Sequence, residues 1–319
     1  MRINTVFVEL SSLCNSACKS CPHSVYGRSD GGGAVFDRKR EFMDMDLFRR
    51  TVREAWTVSN TVNFSFFGEQ TLHPRFLECL DFLSKRPSGK RVVLFTSFLL
   101  VTQQMMDMFV RMRLDNMRIS LDAATSSTYD LVRPGGPCRR LDGSWASGDR
   151  FDAVTAKVEG WFRRKDHVPT RHEFTVSSKN VHEVKDFVQR WTPLLGRKDL
   201  LLTKSILTYG GVMLNDSFLN PYPCKLWGKE RYLIVGANGI VSPCNLDVNL
   251  ALSVGDITKQ SLSAIIASDR YRDVERNSRQ RAISPCRTCT DGNNRARDRK
   301  YRRGDVWHDK HLAPYKPKG

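Results

Sequence analysis

Long hydrophobic runs are missing from this 319-residue chain. A spanning helix needs about 20 consecutive apolar residues, and no stretch offers them, so no transmembrane segment is expected. The N-terminus, Met1-Arg2-Ile3-Asn4-Thr5, runs straight into a strand-like segment. It lacks the basic and apolar regions of a signal peptide, so no secretory leader is expected. Low-complexity tracts and internal repeats are absent too, apart from an alternation of strand-like and helix-like segments. Acidic residues are scarce: 34 Asp and Glu against 51 Lys and Arg, a net charge of +17. Such a field favours anionic partners, whether phosphates, nucleotides, nucleic acid or an acidic carrier. Part of the excess is local, since Thr290 to Gly319 holds nine Lys/Arg against four Asp. A merely solvated basic surface is the plain alternative.

Hydrophobic residues make up 40% and charged residues 27%, as in a water-soluble globular protein. The length suits one large domain and one small one. The nine cysteines are grouped, which argues for metal in a reducing cytosol rather than for disulfides. The first group is Cys14, Cys18 and Cys21, a C-x3-C-x2-C run directly after an apolar strand. Thiolates are soft ligands that suit iron–sulfur clusters and zinc. Three of them on a four-iron cluster leave one iron open to a reacting ligand. Zinc would want a fourth ligand, for which His23 is at hand.

Taken in order, the chain reads as βα units with a parallel sheet. Strands are expected at Thr5 to Leu10, Thr61 to Phe67, Arg91 to Thr96, Met117 to Leu121, Glu173 to Ser177 and Leu200 to Ile206. Helices are expected at Met43 to Trp56, His73 to Leu83, Thr102 to Met112, Ser126 to Val132, Phe151 to Arg164 and Val184 to Trp191. Ser24 to Glu41, with Gly31-Gly32-Gly33, reads as a polar loop. Six units suggest a partial (β/α)6 barrel. Chemistry then belongs at the C-terminal strand ends, where Cys14 to Cys21, Gly68-Glu69, Thr96-Ser97, Ser120 and Asp122 fall.

The C-x3-C-x2-C run, so placed, resembles the signature of the radical S-adenosylmethionine (SAM) superfamily. The resemblance covers the chain to near Ile206. It implies a [4Fe–4S] cluster on Cys14, Cys18 and Cys21 whose open iron chelates SAM, and reductive cleavage to a 5′-deoxyadenosyl radical that abstracts a substrate hydrogen. Gly68-Glu69 is similar to the family's glycine–glutamate motif for SAM's ammonium, without its first glycine. Ser120 and Arg133 resemble positions that meet SAM's hydroxyl and carboxylate groups, and Asp122, at the same strand end, is expected with them among the SAM-binding residues. Before the third cysteine the family has a large apolar residue, and here stands Ser20, so adenine contacts must come from elsewhere.

Beyond Ile206 come Cys224, a hairpin of Tyr232 to Val235 and Gly239 to Val241, Cys244, Val254-Gly255-Asp256-Ile257, a helix from Leu262 to Ile266, and Cys286-Arg287-Thr288-Cys289. This resembles the C-terminal auxiliary-cluster domain of the SPASM and twitch subfamilies. No cysteine follows Cys289, so the single-cluster twitch form fits better. The resemblance implies a second [4Fe–4S] cluster on Cys224, Cys244, Cys286 and Cys289, suited to electron relay. Structural zinc on the same thiols is the alternative. The domains are expected to be 1–206 for the barrel, and 207–319 for the auxiliary domain with a basic tail.

Cys79 shares a helix face with Phe76 and Leu83 and reads as a core thiol. Cys138 lies beyond the breaker Arg133-Pro134-Gly135-Gly136-Pro137, in a stretch expected to cross the active face. Arg139 and Arg140 beside it should lower its pKa, and some radical SAM epimerases return hydrogen from a cysteine. It is therefore the candidate hydrogen donor, and Arg133, Arg139 and Arg140 are a candidate clamp for an anionic substrate. The expected function is a cytoplasmic radical SAM oxidoreductase or epimerase. Its substrate would be small and of natural-product type, and its electron donor a flavodoxin or ferredoxin. The first strand starts at once, with no preceding peptide-recognition domain expected. Peptide or protein modification and sulfur insertion are the alternatives. A basic RNA-binding zinc protein is the non-enzyme alternative.

Overall fold

The computed structural model describes residues 3–24, 36–207, 209, 224, 227, 230–289, 299–305 and 307–308. The glycine-rich part of the expected 24–41 loop and most of the basic tail lie outside the described residues. The chain divides into two compact units: residues 1–14, 22–93 and 207–293, and residues 15–21, 94–206 and 294–319.

In the first unit, β1 (Thr5–Val8) pairs in parallel with both β2 (Thr61–Phe64) and β7 (Tyr232–Val235). β7 turns back through Gly236 to Gly239 into β8 (Ile240–Ser242), and β8 pairs with β9 (Gly255–Asp256), both antiparallel. Gly239, after Asn238 in the hairpin turn, adopts φ +84°, a left-handed backbone that glycine takes readily. Helix α1 (Met45–Val58) starts two residues later than its apolar spacing suggests. The reason is Asp44, whose carboxylate accepts from the Asp46 and Leu47 amides as the cap. Phe48, Val52 and Ala55 form its buried stripe. A 3-10 turn at Gln70–Leu72 precedes α2 (Phe76–Ser84), so the proline after His73 lies before the α-helix rather than in it. Two helices close this unit, α7 (Leu262–Ala267) and α8 (Asp269–Arg279).

Strand β3 (Arg91–Thr96) begins in the first unit and ends in the second. In the second, β4 (Asn116–Ser120), β5 (Thr170–Val176) and β6 (Leu200–Ser205) run parallel, and β10 (Arg299–Tyr301) joins β6 antiparallel. Helices α3 (Gln103–Arg111), α4 (Ser126–Val132), α5 (Arg150–Arg163) and α6 (Val184–Trp191) belong to it. His172 and Phe174 of β5 pack on Phe162, Phe187 and Trp191 of α5 and α6. Each fully buried aromatic contributes roughly 2–3 kcal/mol. Trp161 of α5 is buried as well, and its indole donates to Thr170 Oγ1 at 2.9 Å. The fold is mixed α/β with parallel strands, as the alternation predicts.

Candidate active site

Cys14 belongs to the first unit, and Cys18 and Cys21 belong to the second. In the first unit the residues before Cys14 are held by main chain. The Glu69 amide donates to Leu13 O at 2.8 Å. Gly68 has φ +106°, and a Cβ there would stand 2.2 Å from Ser11 O and 2.8 Å from Leu13 O. Only glycine permits that approach. Gln70 completes the contact, its Oε1 accepting from the Ser11 amide at 3.2 Å. Glu69 is buried, and its Oε1 accepts from the Thr71 hydroxyl at 2.8 Å. His23, which could complete a zinc set, is turned to Ser12 O at 2.6 Å, and burial lowers its pKa to about 4.

In the second unit the breaker runs antiparallel along residues 15–19. The Ala17 amide donates to Pro134 O at 2.6 Å, the Lys19 amide to Val132 O at 3.0 Å, and the Gly136 amide to Asn15 O at 2.5 Å. A Cβ on Gly135, at φ +145°, would lie 2.6 Å from Asn15 O and from Ser16 Cα. The breaker is thus a fitted strap. Arg150 ties it to α5, donating to Arg133 O at 2.7 Å and to Asp130 at 2.7 Å.

The Arg133 side chain is buried, and its Nε and Nη2 both reach Asp122 Oδ2, at 2.8 and 2.6 Å. Asp122 has φ +62°, and its carbonyl accepts from Asn180 Nδ2 at 2.9 Å. Asp122 and Arg133 are therefore brought together as an ion pair. Loss of solvent raises the pKa of the Cys18 thiol, and the Arg133 charge pulls it back. Ser120 ends β4, in register with Glu173 of β5, and is half-buried. Ser20 is half-buried, in the turn before Cys21.

Cys138 departs from the expected arginine-activated thiol. It is 1% exposed, and burial pushes its pKa up against the opposing effect of Lys157. Lys157 is itself buried, donating to Leu99 O at 2.9 Å and Val101 O at 3.2 Å and hydrogen-bonded to the Cys138 thiol. Arg139 stacks over Trp145 at 4.7 Å, and Arg140 donates to Ser147 at 2.8 Å. The three arginines of the expected clamp are thus turned to different partners. Cys79 is buried, with its pKa raised to about 12 by loss of solvent, as a core thiol should be.

The second cysteine group lies wholly in the first unit. Cys224, Cys244, Cys286 and Cys289 line one cavity, whose other walls include Trp227, Leu246 and Leu252. Among the described residues no three His, Cys, Asp or Glu side chains converge on a single-ion site. The four thiols instead border a shared space, and burial raises the pKa of Cys244 well above the usual thiol range. An all-thiol donor set with apolar walls fits an iron–sulfur cluster. Asp247 secures the segment after Cys244, accepting from Ser242 Oγ and the Ala251 and Leu252 amides. Glu9 and Arg38 join the end of β1 to this domain. Arg38 binds both Glu9 oxygens at 2.8 and 2.9 Å and donates to Val248 O, and the Ala237 amide donates to Glu9. Their tie was not apparent from the sequence, which separates Glu9 from Ala237 by most of its length.

Residues 224–290 match the SPASM domain, an iron–sulfur cluster-binding domain. Among solved structures, the chain is similar to BtrN in complex with AdoMet and 2-DOIA: TM-score 0.57, 14% identity, covering 92% of this chain and 94% of that one. It is also similar to anSMEcpe with bound AdoMet, with TM-score 0.63 and 16% identity over 98% and 95% of the two chains. SuiB of Streptococcus suis bound to its precursor peptide SuiA gives TM-score 0.64 and 12% identity over 90% and 70%. In sequence, 119 residues are 26% identical to a tungsten-containing aldehyde ferredoxin oxidoreductase cofactor-modifying protein of Pyrococcus furiosus. That match spans 37% of this chain and 30% of the relative's length.

Proposed function

We propose that this chain is a radical SAM enzyme with a SPASM/twitch-type C-terminal domain, and that it oxidises or epimerises a small anionic substrate. When bound, SAM and the two clusters supply a 5′-deoxyadenosyl radical that takes hydrogen from a C–H bond, and an acceptor for the electron left behind. Cys14, Cys18 and Cys21 would hold the SAM-binding cluster, and Cys224, Cys244, Cys286 and Cys289 the auxiliary one. The observation that carries the reading is the presence in one chain of a three-thiol loop and a separate four-thiol cavity. Three ligands leave an iron for chemistry, and four saturate theirs.

The residues around the loop have definable tasks. Gly68 lets the main chain close on Ser11 and Leu13, which sets Glu69 to accept from an ammonium such as SAM's. Ser120 offers a hydroxyl at the end of β4. Asp122 holds the Arg133 fork in one orientation, so Arg133 acts on a ligand carboxylate chiefly through Nη1, the one nitrogen not turned to Asp122. Cys138 keeps the one property a hydrogen-atom donor needs, a neutral S–H, because burial raises its pKa. Its burial means that such a role requires the 138–148 segment to open.

BtrN holds the small molecule 2-DOIA and SuiB a precursor peptide, so the fold serves both substrate classes. The positive charge favours the small anionic class here. The test is anaerobic reconstitution with iron, sulfide, SAM and a reductant. Formation of 5′-deoxyadenosine, detected by mass spectrometry, is the expected result. Zinc without iron or labile sulfide would overturn the reading. Product mass then separates the outcomes: loss of two hydrogens for dehydrogenation, none for epimerisation, a gain for sulfur insertion.

A further inference from the structure

We propose that the Ser278 hydroxyl, on helix α8, donates a hydrogen bond to a sulfur of the auxiliary cluster and raises its reduction potential. The proposal rests on the proposed function in taking the four-thiol cavity as an iron–sulfur site. Ser278 stands in the inward stripe of α8, at helical spacing after Tyr271 and Val274, and all three are buried. Packing alone calls for an apolar residue at that place. Serine instead puts a hydroxyl into the wall of the cavity that the four thiols line.

A serine inside a helix often returns its hydroxyl to the carbonyl four residues back. Among the described residues the Ser278 hydroxyl completes no hydrogen bond, although the residue is fully buried. A buried polar group without a partner costs folding free energy, so a hydroxyl held here points to a ligand that completes it. An O–H donates, and the acceptors this cavity gathers are sulfurs. The hydroxyl's influence falls on Cys286: burial raises that thiol's pKa, and Ser278 opposes the rise, as a donor to sulfur does. The helix end fixes the donor's place. The Ala282 amide donates to Asn277 O at 2.8 Å and the Arg281 amide to Ser278 O at 3.1 Å, with Arg281 in left-handed backbone at φ +55°. These are the two bonds of a Schellman turn. Arg279 donates to Trp227 O at 2.9 Å, and Trp227 meets Tyr271 edge-on. The last turn of α8 is thus tied to Trp227, another wall of the same cavity. Hydrogen bonds to cluster sulfur stabilise the reduced, more negative state and so raise the potential. A raised potential suits the electron acceptor of the proposed function.

The test is a potentiometric titration of the reconstituted protein, followed by electron paramagnetic resonance. Added SAM should alter the signal of the three-thiol cluster alone, which tells the two signals apart. In Ser278→Ala the reduced-to-oxidised ratio of the auxiliary cluster, at a fixed potential, should fall at least threefold. That is a shift of about 28 mV, at 59 mV per tenfold for one electron. The three-thiol cluster should not move. Alanine is a better helix former than serine and removes the buried hydroxyl, so the variant should fold and load its iron. The wild type, exchanged into D2O, should lose one proton coupling to the auxiliary signal, and Ser278→Ala should lack that coupling from the start. An unchanged ratio, an equal shift of both clusters, or no exchangeable coupling in the wild type would overturn the proposal and leave the cluster reading standing. A redox-silent metal on the four thiols would overturn both.

Discussion

The two cysteine groups are enclosed by different materials. The main chain next to the first group is fixed by glycine contacts within each unit: Gly68 against Ser11 and Leu13 in the first, Gly135 and Gly136 against Asn15 and Ser16 in the second. The four-thiol cavity is walled by side chains, among them Trp227, Leu246 and Leu252. The peptide groups of the first bond to one another, as in Gly136 N–H to Asn15 O and Glu69 N–H to Leu13 O, and so fix the main chain beside the thiols. The mainly apolar wall of the second, with Ser278 and Arg281 as its polar members, disfavours water around the thiols. On the proposed function, the first would receive a molecule and the second would keep its cluster closed.

The contrast is broken most completely by changing Cys14, Cys18 and Cys21 together to Ala. 5′-Deoxyadenosine should fall below detection, and iron should drop from about eight to about four per chain if both sites hold [4Fe–4S] clusters. Full iron, or surviving cleavage, would mean that the loop is not the SAM site.

Next in size is Gly68→Ala. A methyl group 2.2 Å from Ser11 O, on a left-handed backbone, must displace the main chain before Cys14. The strain is of order 1–3 kcal/mol. 5′-Deoxyadenosine formation should fall at least tenfold, while chemical analysis still finds the auxiliary iron. Equal loss at both sites would show that the enclosures are not independent.

Cys286→Ala probes the other side of the contrast. Bound iron should halve and substrate turnover should fall, with SAM cleavage persisting without product. Loss of all iron would instead assign the C-terminal site a folding role.

The smallest effect sharpens the comparison by sparing both sites. His167 lies 2.8 Å from Asp199, whose carboxylate raises its pKa. A raised folded pKa stabilises below the unfolded value of about 6.5 and loses that contribution as pH rises through the folded one. His167→Gln should therefore lower the melting temperature below about pH 6.5, by an equivalent of under about 1 kcal/mol. The two melting curves should converge at alkaline pH, with iron unchanged throughout.

The βα alternation and the cysteine spacings were legible because each rests on local pattern. Helix α8 was not: Tyr271, Val274 and Ser278 are its buried residues, and the rest of Asp269–Arg279 is almost wholly charged or polar. Strand β10 lies in a basic stretch whose pairing with β6 is purely long-range. The fifth strand was expected to start at Glu173, whereas it starts at Thr170, because Thr170 to His172 pair with β4 and no local pattern marks that pairing. Cys138 reads as exposed from its Gly, Pro and Arg neighbours, and the buried Lys157 that covers it is 19 residues away. Arg133 reads as a ligand for SAM, and its tie to Asp122 depends on that residue's left-handed backbone.

The pairing of β1 with β7 also sets a schedule for synthesis. Thr5 meets Tyr232 in register, so one edge of β1 has no native partner until the ribosome has added those intervening residues. At 5–20 residues per second, that wait is roughly 11 to 45 seconds. During that interval a bare, apolar strand edge is exposed to other nascent chains. Slower elongation should lengthen the wait and raise the aggregated fraction, and a circular permutant that translates β7 directly beside β1 should escape it.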